Sequence, residues 1–349
     1  MCDEPGSGTC HKVDGMTSRI DVGLIGYGMA GRVFHAPLIS AVDGLRLRSI
    51  VQRRGSEAEA RYPEALIRRD ADALFDDERI ALVVVATPNS SHFDLARRAL
   101  LAGKHVVVDK PFTVRGSEAR ELIALAREKR RLLTVFHNRR WEGDFLTIRR
   151  LLDANAFGRL VSYEARFDRF RNAPKPNAWR ESSDPGSGIL YDLGSHLVDQ
   201  VLLLFGAPSR VSADVRRERD FGASDDAFEI RMEYPGMRAT LLAGMLVREP
   251  TPRYTIRGTD ATFLKFGKDP QEGDLAAGRS PRDPGWGREA PAQWGTLYSG
   301  RGEERIETLP GNYAAFYENV RDAIAGTAPV AVDPETAART IEILERARE

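Results

Sequence analysis

Three groups of residues have the types and spacing to do chemistry, and Lys110 is the first. It follows the run His105-Val-Val-Val-Asp109 and precedes Pro111. A lysine at the carboxyl end of a strand in an open parallel sheet faces the crevice where such sheets bind ligands. There its ammonium would hydrogen-bond a substrate hydroxyl and stabilise the oxyanion character that develops as hydride leaves. Position alone suits a surface lysine at a strand end equally well. Asp192 and His196 form the second group, four residues apart at the start of a predicted helix and just after Gly186-Ser-Gly188. That spacing puts both on one helix face. The carboxylate would hold one imidazole tautomer and leave the other nitrogen to accept a proton; taken alone, the pair also serves as a cap or surface contact. The spacing suits a metal too, but no third ligand accompanies it, so no metal is expected.

The third group is Gly26-Tyr27-Gly28-Met29-Ala30-Gly31, between the apolar run Ile20–Ile25 and an amphipathic stretch over 32–42. Strand, glycine turn and helix follow in the order that dinucleotide binding needs. Gly26 makes the turn, Gly28 leaves room for a pyrophosphate, and Gly31 lets helix and strand pack closely. The phosphates would lie at a helix N-terminus, where unpaired N–H groups and the dipole favour negative charge. The second strand, 45–51, ends in Gln52-Arg53-Arg54-Gly55 with no carboxylate at its tip, while Asp43 precedes the strand. An acid at the tip would bind a ribose 2′-OH, whereas arginine grips a 2′-phosphate. NADP is therefore expected over NAD; the competing reading makes Arg53 and Arg54 solvated loop charges.

These groups need a frame. From Ile20 to about Val135 short β-rich runs alternate with helical stretches, including the continuously apolar Ala81–Ala86, as in a parallel sheet buried on both faces. A doubly wound α/β domain follows, expected over 19–138. The strand ends gather the polar signals, adding Thr87-Pro88-Asn89 and His137-Asn138 to those above. Beyond Arg140 the rhythm changes. A helix over 141–152 and a strand over 160–170 precede a helix over 192–205. Runs at 210–217, 227–234, 238–246, 253–258 and 261–266 then read as one antiparallel sheet, and 267–302 as loop. Helices over 313–325 and 335–348 end the chain, the last expected to pack back on the first domain. His35 and His105 read as packing residues.

The chain has 349 residues, long for one core, and its 51 basic and 51 acidic side chains balance to a net charge of zero. That balance argues against a nucleic-acid surface. No apolar run approaches the roughly 20 residues of a membrane span, and no signal peptide is visible, so a cytoplasmic protein is expected. Cys2 and Cys10, the only cysteines, lie in a polar leader. Residues 1–18 are expected to be a disordered extension.

With Gly26-Tyr-Gly-Met-Ala-Gly31, Ala102-Gly-Lys-His-Val-Val-Val-Asp-Lys-Pro111 and Asp192-Leu-Gly-Ser-His196 in this order, the chain resembles the Gfo/Idh/MocA oxidoreductases. Phe34-His-Ala-Pro-Leu38 and Phe136-His-Asn-Arg-Arg-Trp141 look like its NADP-dependent scyllo-inositol dehydrogenase branch. The resemblance implies an N-terminal Rossmann domain and, over 139–349, a C-terminal α/β domain with an open, mostly antiparallel sheet. That second domain would bind substrate and form a homodimer or homotetramer through its sheet. It implies catalytic roles for Lys110, Asp192 and His196, and a place beside the nicotinamide for Thr87 to Asn89 and His92. Tyr27, Met29, Ala30, Gln52 and Asp109 would join the cofactor site; Asp109 stands where a glutamate is commoner. Asn138, Arg139, Trp179 and Tyr191 are expected to line the substrate pocket. The implied activity is hydride transfer between NADP and a secondary alcohol of a cyclitol or sugar. A reductase of another sugar or carbonyl compound and a non-catalytic NADP sensor are the alternatives.

Overall fold

The computed structural model describes residues 19–174 and 181–348; the expectations for residues 1–18 and Trp179 lie outside these. The strands β1 (Ile20–Ile25), β2 (Leu45–Val51), β3 (Leu66–Arg68), β4 (Ile80–Val85), β5 (His105–Val108) and β6 (Leu133–Val135) are parallel. They form a six-stranded sheet in the order β3-β2-β1-β4-β5-β6. Helices α1 (Ala36–Ala41), α2 (Glu57–Arg61), α3 (Asp72–Phe75), α4 (His92–Leu101) and α5 (Gly116–Lys129) make the crossovers. Strand order reverses between β1 and β4, so their carboxyl ends flank the crevice where such sheets bind ligands. Apolar side chains on both faces bury β4 and β5 almost entirely, as their unbroken valine runs require. The helix after the glycine turn opens with a π-turn, Gly31–His35, before α1.

The second domain starts with α6 (Gly143–Asp153), β7 (Leu160–Arg166) and α7 (Ser195–Phe205). Strands β8 (Arg210–Arg216), β9 (Ala227–Tyr234), β10 (Met237–Gly244), β11 (Tyr254–Gly258) and β12 (Ala261–Lys265) follow. Then come α8 (Gln271–Ala276), β13 (Gly295–Ser299), β14 (Gly302–Ile306), α9 (Ala314–Ile324) and α10 (Pro334–Arg348). The eight-stranded sheet has the order β14-β13-β12-β11-β7-β10-β9-β8. Two expectations change here. The sheet is not a plain antiparallel meander, because β7 inserts between β11 and β10 and runs parallel to β10. Tyr163 and Ala165 of β7 are fully buried, so the strand fills the middle of the sheet rather than an edge. The stretch 267–302 is not all loop, since it holds α8 and β13. Gly295 opens β13 because a Cβ there would lie 2.2 Å from the Phe263 ring. A strand that starts on glycine and carries few apolar residues leaves little period to detect.

One face of this sheet buries Phe228, Ile230, Met232, Ala239, Leu241 and Phe263 against helices. Thr240, Leu242, Thr262 and Leu264 on the other face are half-buried, beside exposed Tyr298. Several bonds tie the chain's end to the first domain. Thr134 Oγ1 donates to Val332 O at 2.7 Å, and Gly116 N to Glu345 Oε2 of α10 at 2.8 Å. Just past the first domain, Arg140 makes a buried charge-assisted fork to Asp199 of α7, at 2.8 and 2.6 Å, which fixes the start of the second domain on α7.

Candidate active site

The glycine turn has the shape that a pyrophosphate needs. Gly26 has φ +100°, and a Cβ there would lie 2.5 Å from Ala86 O. One on Gly31 would lie 2.0 Å from Gly26 O, whereas one on Gly28 would meet nothing within 4 Å. Two glycines are thus demanded by protein packing, and the third leaves open space in front of the turn. Met29 is exposed and lines the central cavity with Ala30. The Tyr27 ring turns into the core, edge-on to Tyr62, so it is not presented to the crevice.

At the tip of β2, Arg53 and Arg54 are exposed. Gln52 is not: its buried amide bonds to Glu57 and accepts from Ala58 N at 2.9 Å, fastening the start of α2. Arg69, which sequence reasoning missed, donates from Nη1 to Gln52 O (2.8 Å) and Gly55 O (2.9 Å). It braces the arginine loop from beyond β3, a relation that exists only once the strands are paired.

The loops after β4 and β5 are locked to each other. The ring nitrogens of buried His92 lie 2.8 Å from Pro111 O and 3.0 Å from Thr87 O. Burial lowers the pKa of His92 against the opposing pull of Asp109 and of the carbonyls, and the neutral ring donates its single N–H to one of the two carbonyls while packing between the loops. Thr87 Oγ1 accepts from Ser91, and buried Asn89 donates to Gly186 O at 2.7 Å, across the domain boundary. Asn89 and His92 therefore spend their side chains on protein partners, whereas the Pro88 ring stays exposed. Asp109 Oδ1 accepts from Lys110 N at 2.8 Å and lies 3.7 Å from Nε2 of buried His35, whose Nδ1 is 2.6 Å from Tyr317 OH. Burial pushes the Asp109 pKa up, but His35, Lys110 and His92 outweigh it and hold it below the ordinary value. His35 thus packs, as expected, and also supports the aspartate. His105 accepts from Leu132 N at 2.9 Å and lies away from the crevice.

Lys110 Nζ donates to both Asp192 O (2.8 Å) and Asp192 Oδ1 (2.9 Å). The expected Asp192–His196 hydrogen bond is absent among the described residues, because the ammonium of Lys110 captures the carboxylate. A charge-assisted bond outcompetes one to a neutral imidazole. His196 is buried on the cavity wall; its Nδ1 is enclosed without a partner, leaving Nε2 as the nitrogen with access to the cavity. Burial, then the positive charge of Lys110 and Arg139, holds its pKa well below the usual histidine value. His196 is consequently neutral at pH 7 without help from Asp192.

Lys110, Asp192 and His196 share a cavity of about 440 Å³ between the domains with Met29, Asn138 and Arg139. Arg139 bonds to Glu142 and, at 3.1 Å, to Glu272, and its guanidinium lies 4.7 Å from the Phe167 ring centre. Tyr191 is placed otherwise than expected. Its hydroxyl donates to Val114 O at 3.0 Å, and its ring is buried away from the cavity. The cavity wall also includes Arg169 and Lys268, just past β7 and in the stretch expected as loop. Neither had a sequence signal, since lone cations in loops look alike.

Residues 20–137 match the profile described as "Oxidoreductase family, NAD-binding Rossmann fold", and residues 149–349 that described as "Oxidoreductase family, C-terminal alpha/beta domain". The uncharacterized oxidoreductase YdgJ of Escherichia coli (strain K12) is 43% identical, over 95% of this chain and 96% of its own. The scyllo-inositol 2-dehydrogenase (NADP(+)) IolW of Bacillus subtilis (strain 168) is 38% identical, over 95% and 93%. The solved yvaA structure from Bacillus subtilis superposes with a TM-score of 0.92 at 36% identity, covering 95% of this chain and 96% of that one.

Proposed function

The chain belongs to the Gfo/Idh/MocA oxidoreductase family, and from that premise we propose an NADP-dependent dehydrogenase of a secondary alcohol on a cyclitol or sugar, scyllo-inositol-like. The observation that carries this reading is the convergence of Lys110, Asp192 and His196 on one cavity that the glycine turn also reaches. The turn and Arg53 and Arg54 would hold the dinucleotide, whose nicotinamide supplies or accepts the hydride. Lys110 has three N–H donors. Asp192 engages two, which keeps the ammonium aimed while one N–H remains for the substrate oxygen. His196 Nε2 accepts the hydroxyl proton during oxidation and returns it during reduction. Asp192 acts as the positioning residue of Lys110. Asn138 and Arg139 orient the remaining hydroxyls. The half-open face of the second sheet, with Leu242, Leu264 and Tyr298, serves self-association.

Initial rates of NADP reduction across cyclitols, aldoses and sugar acids test the reading. Turnover of members of this panel is expected; tight NADPH binding with no turnover would favour the sensor instead. The depressed His196 pKa adds a pH prediction. The neutral imidazole is the base, so kcat/KM for oxidation is expected to hold at pH 7 and to fall only once pH drops below the ordinary histidine value of about 6.5. An acid limb centred above that value would remove His196 as the base.

A further inference from the structure

The second-domain wall of the cavity carries two cations that the described residues match only weakly, Arg169 and Lys268. Arg169 is placed just past β7, its backbone N–H donating to Gly244 O at 3.0 Å. Among the described residues its guanidinium finds no closer anion than Asp192 Oδ2, at 3.9 Å, and the other oxygen of that carboxylate already accepts from Lys110. Lys268, between β12 and α8, has neither an ion pair nor a hydrogen bond among the described residues. The carboxylates on the same wall are taken. Glu272 pairs with Arg139 at 3.1 Å, Asp168 with Arg166 at 2.7 Å, Glu181 with Arg171 at 2.8 Å, and Asp225 with Arg348 at 2.7 Å. Burial and neighbouring cations lower the pKa of Lys268, and burial that of Arg169, so each charge gains from an incoming anion.

We propose that the substrate is a sugar or cyclitol derivative bearing an anionic group, a carboxylate or a phosphate monoester, which Arg169 and Lys268 grip. The planar guanidinium offers two parallel hydrogen bonds and the ammonium a mobile point charge, a pairing suited to either group. Lys110 and Arg169 stand at the two oxygens of the Asp192 carboxylate, so the substrate's charge falls only a few bonds from the reacting carbinol. A single uronate, aldonate or phosphorylated ring meets that demand; a long neutral saccharide does not. The proposal rests on the dehydrogenase reading above.

The test uses the full chain with saturating NADP and three substrate sets: neutral cyclitols and hexoses, their uronates and aldonates, and their monophosphates. An anionic substrate is expected to exceed its neutral parent in kcat/KM by about tenfold or more, as one added charge-assisted contact would give. The carboxylate and phosphate sets identify which group is recognised. Lys268→Gln and Arg169→Gln are each expected to shrink that ratio. Equal or better turnover of the neutral parents overturns the proposal and leaves the dehydrogenase reading standing. A Lys268→Gln variant that weakens NADPH binding, titrated by fluorescence, with the ratio unchanged also overturns it, by assigning the lysine to the cofactor. Absence of turnover in every set overturns both.

Discussion

Lys110→Met is expected to lower kcat by about 10³-fold, with NADPH affinity nearly intact, because in the proposed mechanism the ammonium acts where charge develops in the transition state. Methionine keeps the unbranched apolar stem of lysine as far as Cε and lacks the terminal ammonium donor. Asp192 is partly exposed and retains Arg169 nearby, so the variant is expected to fold. His196→Ala removes the proton acceptor and should cost about 10²- to 10⁴-fold in kcat. In the proposed mechanism the two residues handle the same oxygen and its proton, so the double variant should lose much less than the product of the single losses. Kinetics at saturating cofactor and a fluorescence titration of NADPH separate catalysis from binding. Near-normal turnover in both single variants would remove the mechanism.

The second large effect concerns cofactor choice. Replacing Arg53 and Arg54 together with alanine is expected to erode the preference for NADP over NAD by about 10²-fold or more, since each charge-assisted hydrogen bond is worth roughly 1.5–3 kcal/mol. The loss should fall on the KM for NADP, with the KM for NAD nearly unchanged. Gln52 is the wrong position to alter, because its amide holds the first turn of α2. Arg69 should be left in place too, since it braces the loop through two backbone carbonyls. A wild-type enzyme with a clear preference for NAD would sink the assignment outright.

The parts of the site legible in the sequence are those in which neighbouring residues constrain each other. The glycine turn is one: Gly26 and Gly31 are demanded by backbone atoms that would lie 2.5 and 2.0 Å from a Cβ, a need that follows directly from a strand–turn–helix path. Lys110 at the end of a valine strand is another, because a parallel sheet sends such ends to one edge. The residues that turn to protein partners are those whose side chains had a choice. Asn89, His92 and Tyr191 stand in the expected loops and helix start, yet each spends its polar atoms on a distant carbonyl. No local period encodes such a choice.

The sequence by itself determined the order of elements and the dinucleotide turn, and singled out Lys110, Asp192 and His196, because hydrophobic period and backbone sterics act over a few residues. Only the tertiary structure decided that Asp192 serves Lys110 rather than His196. Only the packed cavity makes His196 neutral through burial and nearby cations, and sets Arg169 and Lys268 on its wall with little opposing charge among the described residues. Those outcomes depend on which charges arrive within a few ångströms of one another when two domains meet. Electrostatic partners in a desolvated cleft are set by distance in space, not along the chain.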